Sequence, residues 1–344
     1  MSLAIRFAES GFAPDRLIRA GIRALVRQRL REEKREHAAN SGTHTQAFLE
    51  FLRQSPIAVD TRAANEQHYE VPPDFFLRAL GKRLKYSCCY YPKGCESLGE
   101  AEEQMLVLTC ERGDVQDGME ILELGCGWGS LTLWMAEHYP NAQITAVSNS
   151  QLQRGFIMEQ CRKQGFSNVE VITADINDFQ IEKCYDRILS VEMFEHMRNY
   201  KLLLDRIAAW MKPEARLFVH IFCHSRYAYI YETEGAANWM GRYFFTGGIM
   251  PSYDLLLHFQ EAVVIEDQWR ISGKHYQKTA EKWLQNMDRN KSRILPVLET
   301  TYGKGNAPLW FQRWRIFFMA CAELWGFRNG EEWLVGHYLF RKRV

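Results

Sequence analysis

Residues Leu122-Glu123-Leu124-Gly125-Cys126-Gly127-Trp128-Gly129-Ser130 decide the reading of this 344-residue chain. A short apolar run ending on alternate glycines reads as a buried strand, a tight turn and the start of a helix. The same alternation extends outward. Strands are expected over Glu120–Leu124, Gln143–Val147, Val169–Thr173, Tyr185–Val191 and Arg216–Ile221, and helices over Ser130–His138, Gln151–Gln164 and Tyr200–Met211. Pro213 follows the last helix, where proline commonly falls. Strands alternating with helices predict an α/β fold, a parallel, doubly wound sheet covered on both faces. Two late strands, Val263–Arg270 and Val335–Arg341, bring the sheet to seven strands, mostly parallel. Helical segments around Thr279–Asn290 and Leu309–Trp325 lie between them.

The spacing of Gly125, Gly127 and Gly129 is G-x-G-x-G. The dinucleotide fingerprint is G-x-G-x-x-G, with an acidic residue about 20 positions on for the ribose. Here Ser130 stands at the third glycine position, and Ser148-Asn149-Ser150 stand where the acid is needed. Both departures count against NAD. A strand-to-helix glycine turn of this kind suits S-adenosylmethionine, and Glu123 is an acid placed to sit near that cationic donor.

Residues 1–75 read as a helical extension and 76–344 as the main domain, with an aromatic and helical lid at about 223–330. Ile18, Ile22, Leu25, Val26 and Leu30 repeat at helical spacing, with Arg19, Arg23, Arg27 and Arg31 on another face. That basic face suits contact with an anionic membrane surface or a solvated helix side. The following Glu32, Glu33 and Glu36 favour the second. Tyr227, Tyr229, Tyr231, Trp239, Tyr243, Phe244 and Phe245 crowd one stretch, suiting stacking on an aromatic amine, a groove for an acyl chain, or a core.

Apolar residues make up 47% and charged residues 25%, an ordinary globular balance, and the net charge of +1 gives no reason to expect nucleic acid. No apolar run approaches the roughly 20 residues of a membrane span. Met1–Asp15 lacks the pattern of a secretory signal. Nine cysteines scatter without a Cys-x-x-Cys pair, which suits a reducing cytoplasm and gives no support to structural zinc. His220, Cys223 and His224 are close in sequence, but on a strand end they diverge and have no partner cluster, so no metal is expected.

Phe194-Glu195-His196 follows the strand Tyr185–Val191 and supplies a carboxylate and an imidazole. Methyl transfer from a sulfonium is an in-line displacement, in which the protein aligns the partners and excludes water. An alkyl amine is mostly protonated at neutral pH and then has no lone pair to attack with. A carboxylate orients the ammonium, and an imidazole near its own pKa accepts the proton. The bland alternative has His196 capping the backbone of 197–200 and Glu195 paired with Arg198.

With these residues in hand, the chain resembles the cyclopropane-fatty-acid synthase superfamily of S-adenosylmethionine-dependent methyltransferases, most of all its coclaurine N-methyltransferase-like branch. The resemblance rests on Tyr86-Ser-Cys-Cys-Tyr90, Glu100-Ala-Glu, Cys110-Glu-Arg, Gln116-Asp-Gly, the glycine turn and Val191-Glu-Met-Phe-Glu-His-Met197. It continues through Ser272-Gly-Lys-His275 and Gly330-Glu-Glu-Trp333 and covers roughly residues 65 to 344. It implies a class I, Rossmann-like methyltransferase domain. By it, Tyr86 and Ser87 contact the methionine part of the donor, with Gly125 and Gly127 against it. Ser148, Asn149 and Gln153 reach the ribose, and Asp175, Ile176 and Asn177 border the adenine. Glu195 and His196 orient and deprotonate a small, aromatic amine.

The same resemblance carries a rival. Cyclopropane synthases act on an unsaturated acyl chain, with bound bicarbonate removing a proton so that the ring closes. Their bicarbonate-holding residues match Cys88, Glu195, His220 and Tyr276 here. Coclaurine-type enzymes carry Glu near position 220 and Phe at 276, so this chain departs toward the lipid-modifying branch. A third possibility, a donor-binding scaffold without catalysis, is opposed by the intact Glu195 and His196. The sequence leaves a homodimer open.

Overall fold

The computed structural model describes residues 3–39, 43–59, 71–235 and 238–343. The 60–70 stretch and residues 40–42, both within the expected helical extension, lie outside the described residues. The chain begins with α1 (Leu3–Glu9), α2 (Asp15–Ala39) and α3 (Thr43–Gln54), then α4 (Pro73–Ala79) and α5 (Leu98–Arg112). The alternating part follows: β1 (Glu120–Leu124), α6 (Ser130–His138), β2 (Gln143–Ser148), α7 (Gln151–Gln164), β3 (Val169–Thr173), β4 (Tyr185–Val191), α8 (Tyr200–Trp210) and β5 (Met211–His224). The remainder is β6 (Tyr229–Ile230), α9 (Trp239–Tyr243), β7 (Ile249–Met250), β8 (Val263–Ile271), α10 (Gly273–Arg289), α11 (Lys291–Tyr302), α12 (Ala307–Trp325) and β9 (Trp333–Lys342).

Seven strands form one sheet in the order β3-β2-β1-β4-β5-β9-β8. The first five are parallel, and β9 runs antiparallel to both β5 and β8. Side chains alternate faces along each strand. Leu122, Leu124, Ile188 and Leu217 join Leu203, Leu204 and Ile207 of α8 in one core. Ile121, Leu189 and Phe218 join Leu106 and Cys110 of α5 and Trp134 and Met135 of α6 in another. This double covering is what makes the parallel strands read as continuous apolar runs.

β5 begins at Met211, earlier than its apolar run suggests, because Met211 pairs with Tyr185 across an irregular register before the regular pairing from Arg187 and Arg216. The start of α5, not expected from periodicity, is set by a capping box: Ser97 accepts from the Glu100 N–H, and Glu100 reaches back to the Ser97 N–H. The order of strands reverses between β1 and β4, so the carboxyl ends of these two strands open the crevice where doubly wound sheets bind ligands.

Helices α10 and α12 share a core with the N-terminal helices. Ile18, Val26 and Leu30 of α2 belong to the same cluster as Trp283, Trp314, Phe317 and Phe318. The basic face of α2 is partly engaged. Arg19 donates to Glu281 at 2.6 and 2.8 Å and to Glu323 at 3.0 Å, and Arg23 to Glu323 at 2.9 Å. Arg27 and Arg31 stay exposed. In the aromatic stretch, Phe244 is fully buried and stacks on Phe317, with ring centroids 4.4 Å apart. Among the described residues, no helix is long and apolar enough to cross a membrane.

Candidate functional site

The glycine turn joins β1 to α6, and its backbone demands glycine. Gly125 has φ +80°, and an added Cβ would lie 2.7 Å from the Met193 Cβ. Gly129, also at φ +80°, would press a Cβ to 2.7 Å from Ile157 Cγ1 on α7. At Gly127 a Cβ would meet nothing within 4 Å, so bare backbone faces open space there. A turn closed on two sides and open on the third forms a cradle for a ligand against main chain.

Around the turn, the expected donor residues take the following places. Glu123 is buried beneath it and accepts from the Thr132 hydroxyl, with burial pushing its carboxyl up to about 8. Ser148 at the end of β2 donates to Gln153 Oε1 at 2.6 Å, and both are buried. Asn149 follows Ser148 and is half-buried. Asp175 accepts from the Asn177 N–H at 2.8 Å. Ile176 packs partly buried against the α8-side core. The Asn177 amide is committed to the Ala58 backbone, accepting at 3.0 Å and donating at 3.1 Å. Asn177 thus ties the chain ahead of α4 to the sheet. Tyr86 lies edge-on to Phe76 with centroids 5.3 Å apart, and Ser87 accepts from the buried Lys85 ammonium at 2.5 Å.

Beside the turn, the end of β4 supplies a residue that sequence reasoning passed over. Glu192 has φ +49°, the left-handed region, which costs a non-glycine residue about 1–2 kcal/mol. The surroundings hold it there: its N–H donates to the His220 carbonyl at 2.8 Å. Its carboxylate is a hub. Oε1 accepts from the Cys88 N–H at 2.8 Å and faces His220 Nε2 at 3.2 Å, while Oε2 accepts from the Tyr276 hydroxyl at 2.6 Å. Burial raises its pKa to about 7, against the opposing pull of the Lys85 charge, the Cys88 N–H and the Tyr276 hydroxyl.

Three of the four residues matched to bicarbonate therefore do meet, and they meet on Glu192. The fourth, Glu195, is fully buried and accepts from the Phe222 N–H at 2.6 Å, so it faces the backbone of β5. Burial and the neighbouring Glu192 push its carboxyl well above the usual range. The alternative pairing of Glu195 with Arg198 is not among the ion pairs of the described residues: Arg198 donates to the Gly247 carbonyl at 2.9 and 3.2 Å. His196 ends a short 3-10 turn, Phe194–His196, with its ring 4.6 Å from that of Phe245. Glu192 was visible in the quoted Val191–Met197 motif, as the first residue past the strand. Its importance lies in contacts from residues far away in sequence.

Glu192, His196, Tyr86 and Tyr276 line one cavity of about 820 Å³. Phe222, Tyr229, Tyr231, Phe245 and Trp325 add aromatic walls, and Phe7, Leu17 and Leu25 of the N-terminal helices border it. Elsewhere, among the described residues, no group of three His, Cys, Asp or Glu side chains stands close enough to hold a metal. His224 instead accepts from the Arg226 and Tyr227 N–H groups through Nδ1.

A parallel sheet with this strand order, a reversed penultimate strand and a glycine cradle after β1 defines the class I S-adenosylmethionine-dependent methyltransferases. Residues 58–332 match the profile of the family described as mycolic acid cyclopropane synthetase, and the chain belongs to that family. (S)-Coclaurine N-methyltransferase of Thalictrum flavum subsp. glaucum is 42% identical over 339 residues, 97% of this chain and 94% of the relative. The crystal structure of coclaurine N-methyltransferase bound to N-methylheliamine and SAH (S-adenosylhomocysteine) matches with a TM-score of 0.93. Its identity is 39%, over 98% of this chain and 99% of that one. Cyclopropane-fatty-acyl-phospholipid synthase of Escherichia coli (strain K12) is 27% identical over 273 residues, 78% of this chain and 66% of the relative. The chain is an S-adenosylmethionine-dependent methyltransferase.

Proposed function

We propose that the enzyme methylates the nitrogen of a small aromatic amine. The observation that carries this reading is the carboxylate of Glu192 and the imidazole of His196 on the wall of one aromatic cavity. The amine-methylating relative covers nearly the whole chain at 42% identity, which supports it further. The Gly125–Gly129 cradle would hold the donor, with Tyr86 and Ser87 available to its methionine end, Ser148, Asn149 and Gln153 to its ribose, and Asp175 and Ile176 to its adenine. Asn177 shapes that wall from its bonds to Ala58, and Glu123 braces the turn from below. When bound, the donor supplies a methyl group on a positively charged sulfur, which becomes a neutral thioether as the nitrogen lone pair takes the carbon.

In this reading Glu192 attracts the ammonium by charge and, with His196, removes the proton that frees the lone pair. Glu195 stays protonated and holds the strand end through Phe222. The aromatic walls exclude water and offer ring faces to the cationic nitrogen. Nine unpaired cysteines suit a reducing compartment, and we place the enzyme in the cytoplasm.

The second reading, acyl-chain modification with bicarbonate, draws on Cys88, His220 and Tyr276. Those residues already spend hydrogen bonds on Glu192, so a built-in carboxylate occupies the place a free anion needs. Incubation with methyl-labelled donor and a panel of secondary and tertiary aromatic amines, beside vesicles of unsaturated phospholipid, separates the two. Label in the amines is the expected result; label in lipid and in no amine overturns the assignment.

The pH dependence follows with a definite sign. The base must be ionised, and burial pushes the Glu192 carboxyl up to about 7. Thus kcat/KM is expected to be flat above that point and to fall about tenfold per pH unit below it. A profile still level at pH 5.5 would remove Glu192 from the role of base.

A further inference from the structure

Behind Glu192 lies a chain of hydrogen bonds that crosses the sheet. His220 on β5 and His337 on β9 face one another in the antiparallel register, both fully buried. His220 Nδ1 is 3.0 Å from His337 Nε2, and His337 Nδ1 is 2.9 Å from a guanidinium nitrogen of Arg112, the last residue of α5. The guanidinium packs over the Trp269 ring on β8 at 4.8 Å.

Only one arrangement of protons satisfies all three links. A guanidinium has donors and no acceptor. The His337 Nδ1 must therefore present its lone pair, leaving the ring proton on Nε2. That proton is given to His220 Nδ1, which leaves the His220 proton on Nε2, aimed at Glu192 Oε1. Burial pushes both imidazoles well below their ordinary pKa, in keeping with one proton on each ring.

We propose that Arg112 and His337 are positioning residues that hold His220 in its Nε2–H form and so keep a donor on the Glu192 carboxylate. The inference rests on the reading of Glu192 as the base. With the other tautomer, a lone pair would face Glu192 Oε1, and the carboxyl would hold its proton more tightly. The chain orients but does not conduct, because Arg112 cannot accept a proton. The proton taken from the amine leaves Glu192 on the cavity side.

The groups facing Glu192 are Lys85, Cys88, Glu195, His220, Tyr276 and Cys321, and Arg112 and Lys85 act on the histidine pair. Replacing His337 leaves every direct contact of Glu192 in place. In His337→Leu, the acid limb of kcat/KM is expected to move upward by about one pH unit, the size of shift that loss of one hydrogen bond to a carboxylate produces. SAH affinity by calorimetry stays at the wild-type value. In His337→Gln, the amide oxygen accepts from Arg112 and its NH₂ donates to His220, and the limb returns toward wild type. Should His337→Leu not fold, Arg112→Met is predicted to shift the limb in the same direction.

Histidine nitrogen chemical shifts give a readout that needs no turnover: His220 is expected as the Nε2–H form in wild type and as a mixture in the leucine variant. A wild-type Nδ1–H form, or an unmoved limb in a folded, SAH-binding variant, overturns the proposal. If wild type methylates no amine, the functional reading fails by itself, and the tautomer measurement still judges the chain.

Discussion

Glu192→Gln is expected to lower methyl transfer to an amine by about 10²–10⁴-fold, the usual contribution of a positioned base, while SAH binding is retained. The substitution preserves shape and removes charge and basicity together. It also sets an amide among the Cys88 N–H, the Tyr276 hydroxyl and His220 Nε2, which the carboxylate satisfies at 2.8, 2.6 and 3.2 Å. The amide oxygen can keep the Cys88 N–H and His220 Nε2, and the amide NH₂ can donate to the Tyr276 hydroxyl oxygen, so the geometry is retained and the loss reports charge and basicity. Glu195→Gln is the matching control. The neighbouring carboxyl accepts a backbone N–H from Phe222 at 2.6 Å, a bond that an amide oxygen keeps. A loss of less than about tenfold is expected there, since a protonated buried acid and an amide are near equivalents. Turnover with labelled donor and calorimetry with SAH measure both variants. If Glu195→Gln proves the more damaging, the base has been placed on the wrong carboxyl.

Gly125→Ala is the second large effect. A non-glycine residue at φ +80° costs about 1–2 kcal/mol. The new methyl would also stand 2.7 and 2.8 Å from Met193 Cβ and Cγ, and such overpacking adds about 1–3 kcal/mol. Met193 sits between Glu192 and the turn that carries Glu195 and His196, so the clash moves the glycine turn and Glu192 together. Chemical unfolding should register a loss of about 2–5 kcal/mol, and SAH affinity should fall by at least about tenfold. Gly165→Ala isolates the backbone cost. Its φ is +75° with nothing within 4 Å of an added Cβ, at the end of α7. About 1 kcal/mol of stability and no change in SAH affinity are expected there. Equal SAH affinities for the two variants would show that the Met193 contact is irrelevant to the donor site.

The fold was readable because its signals are local. β1, β3, β4, α6 and α7 lie where the apolar runs and their turn residues put them. The segments that escaped prediction are those whose cause is not periodicity. α5 is announced by a Ser97–Glu100 cap, α4 is a short turn after Pro72, and the early part of β5 exists because Met211 finds Tyr185 across an irregular register.

The candidate site divides in the same way. The glycine cradle and the Glu195-His196 pair stand out from spacing along one stretch. Which carboxyl faces the cavity does not. Glu192 and Glu195 are three residues apart, and a 3-10 turn with the left-handed Glu192 sends one side chain to the cavity and the other into the sheet.

By itself, the amino-acid sequence determined the strand and helix alternation, the glycine turn and the presence of a carboxylate and an imidazole after β4. Periodicity and backbone sterics act over a few residues, and they are written in those residues. The tertiary structure alone decided that Cys88, His220 and Tyr276 converge on Glu192, that His337 and Arg112 stand behind it, and that α2 joins the core of α12. Hydrogen-bond partners, burial and the pKa shifts that follow depend on groups brought together from distant parts of the chain, and no single stretch of sequence contains them.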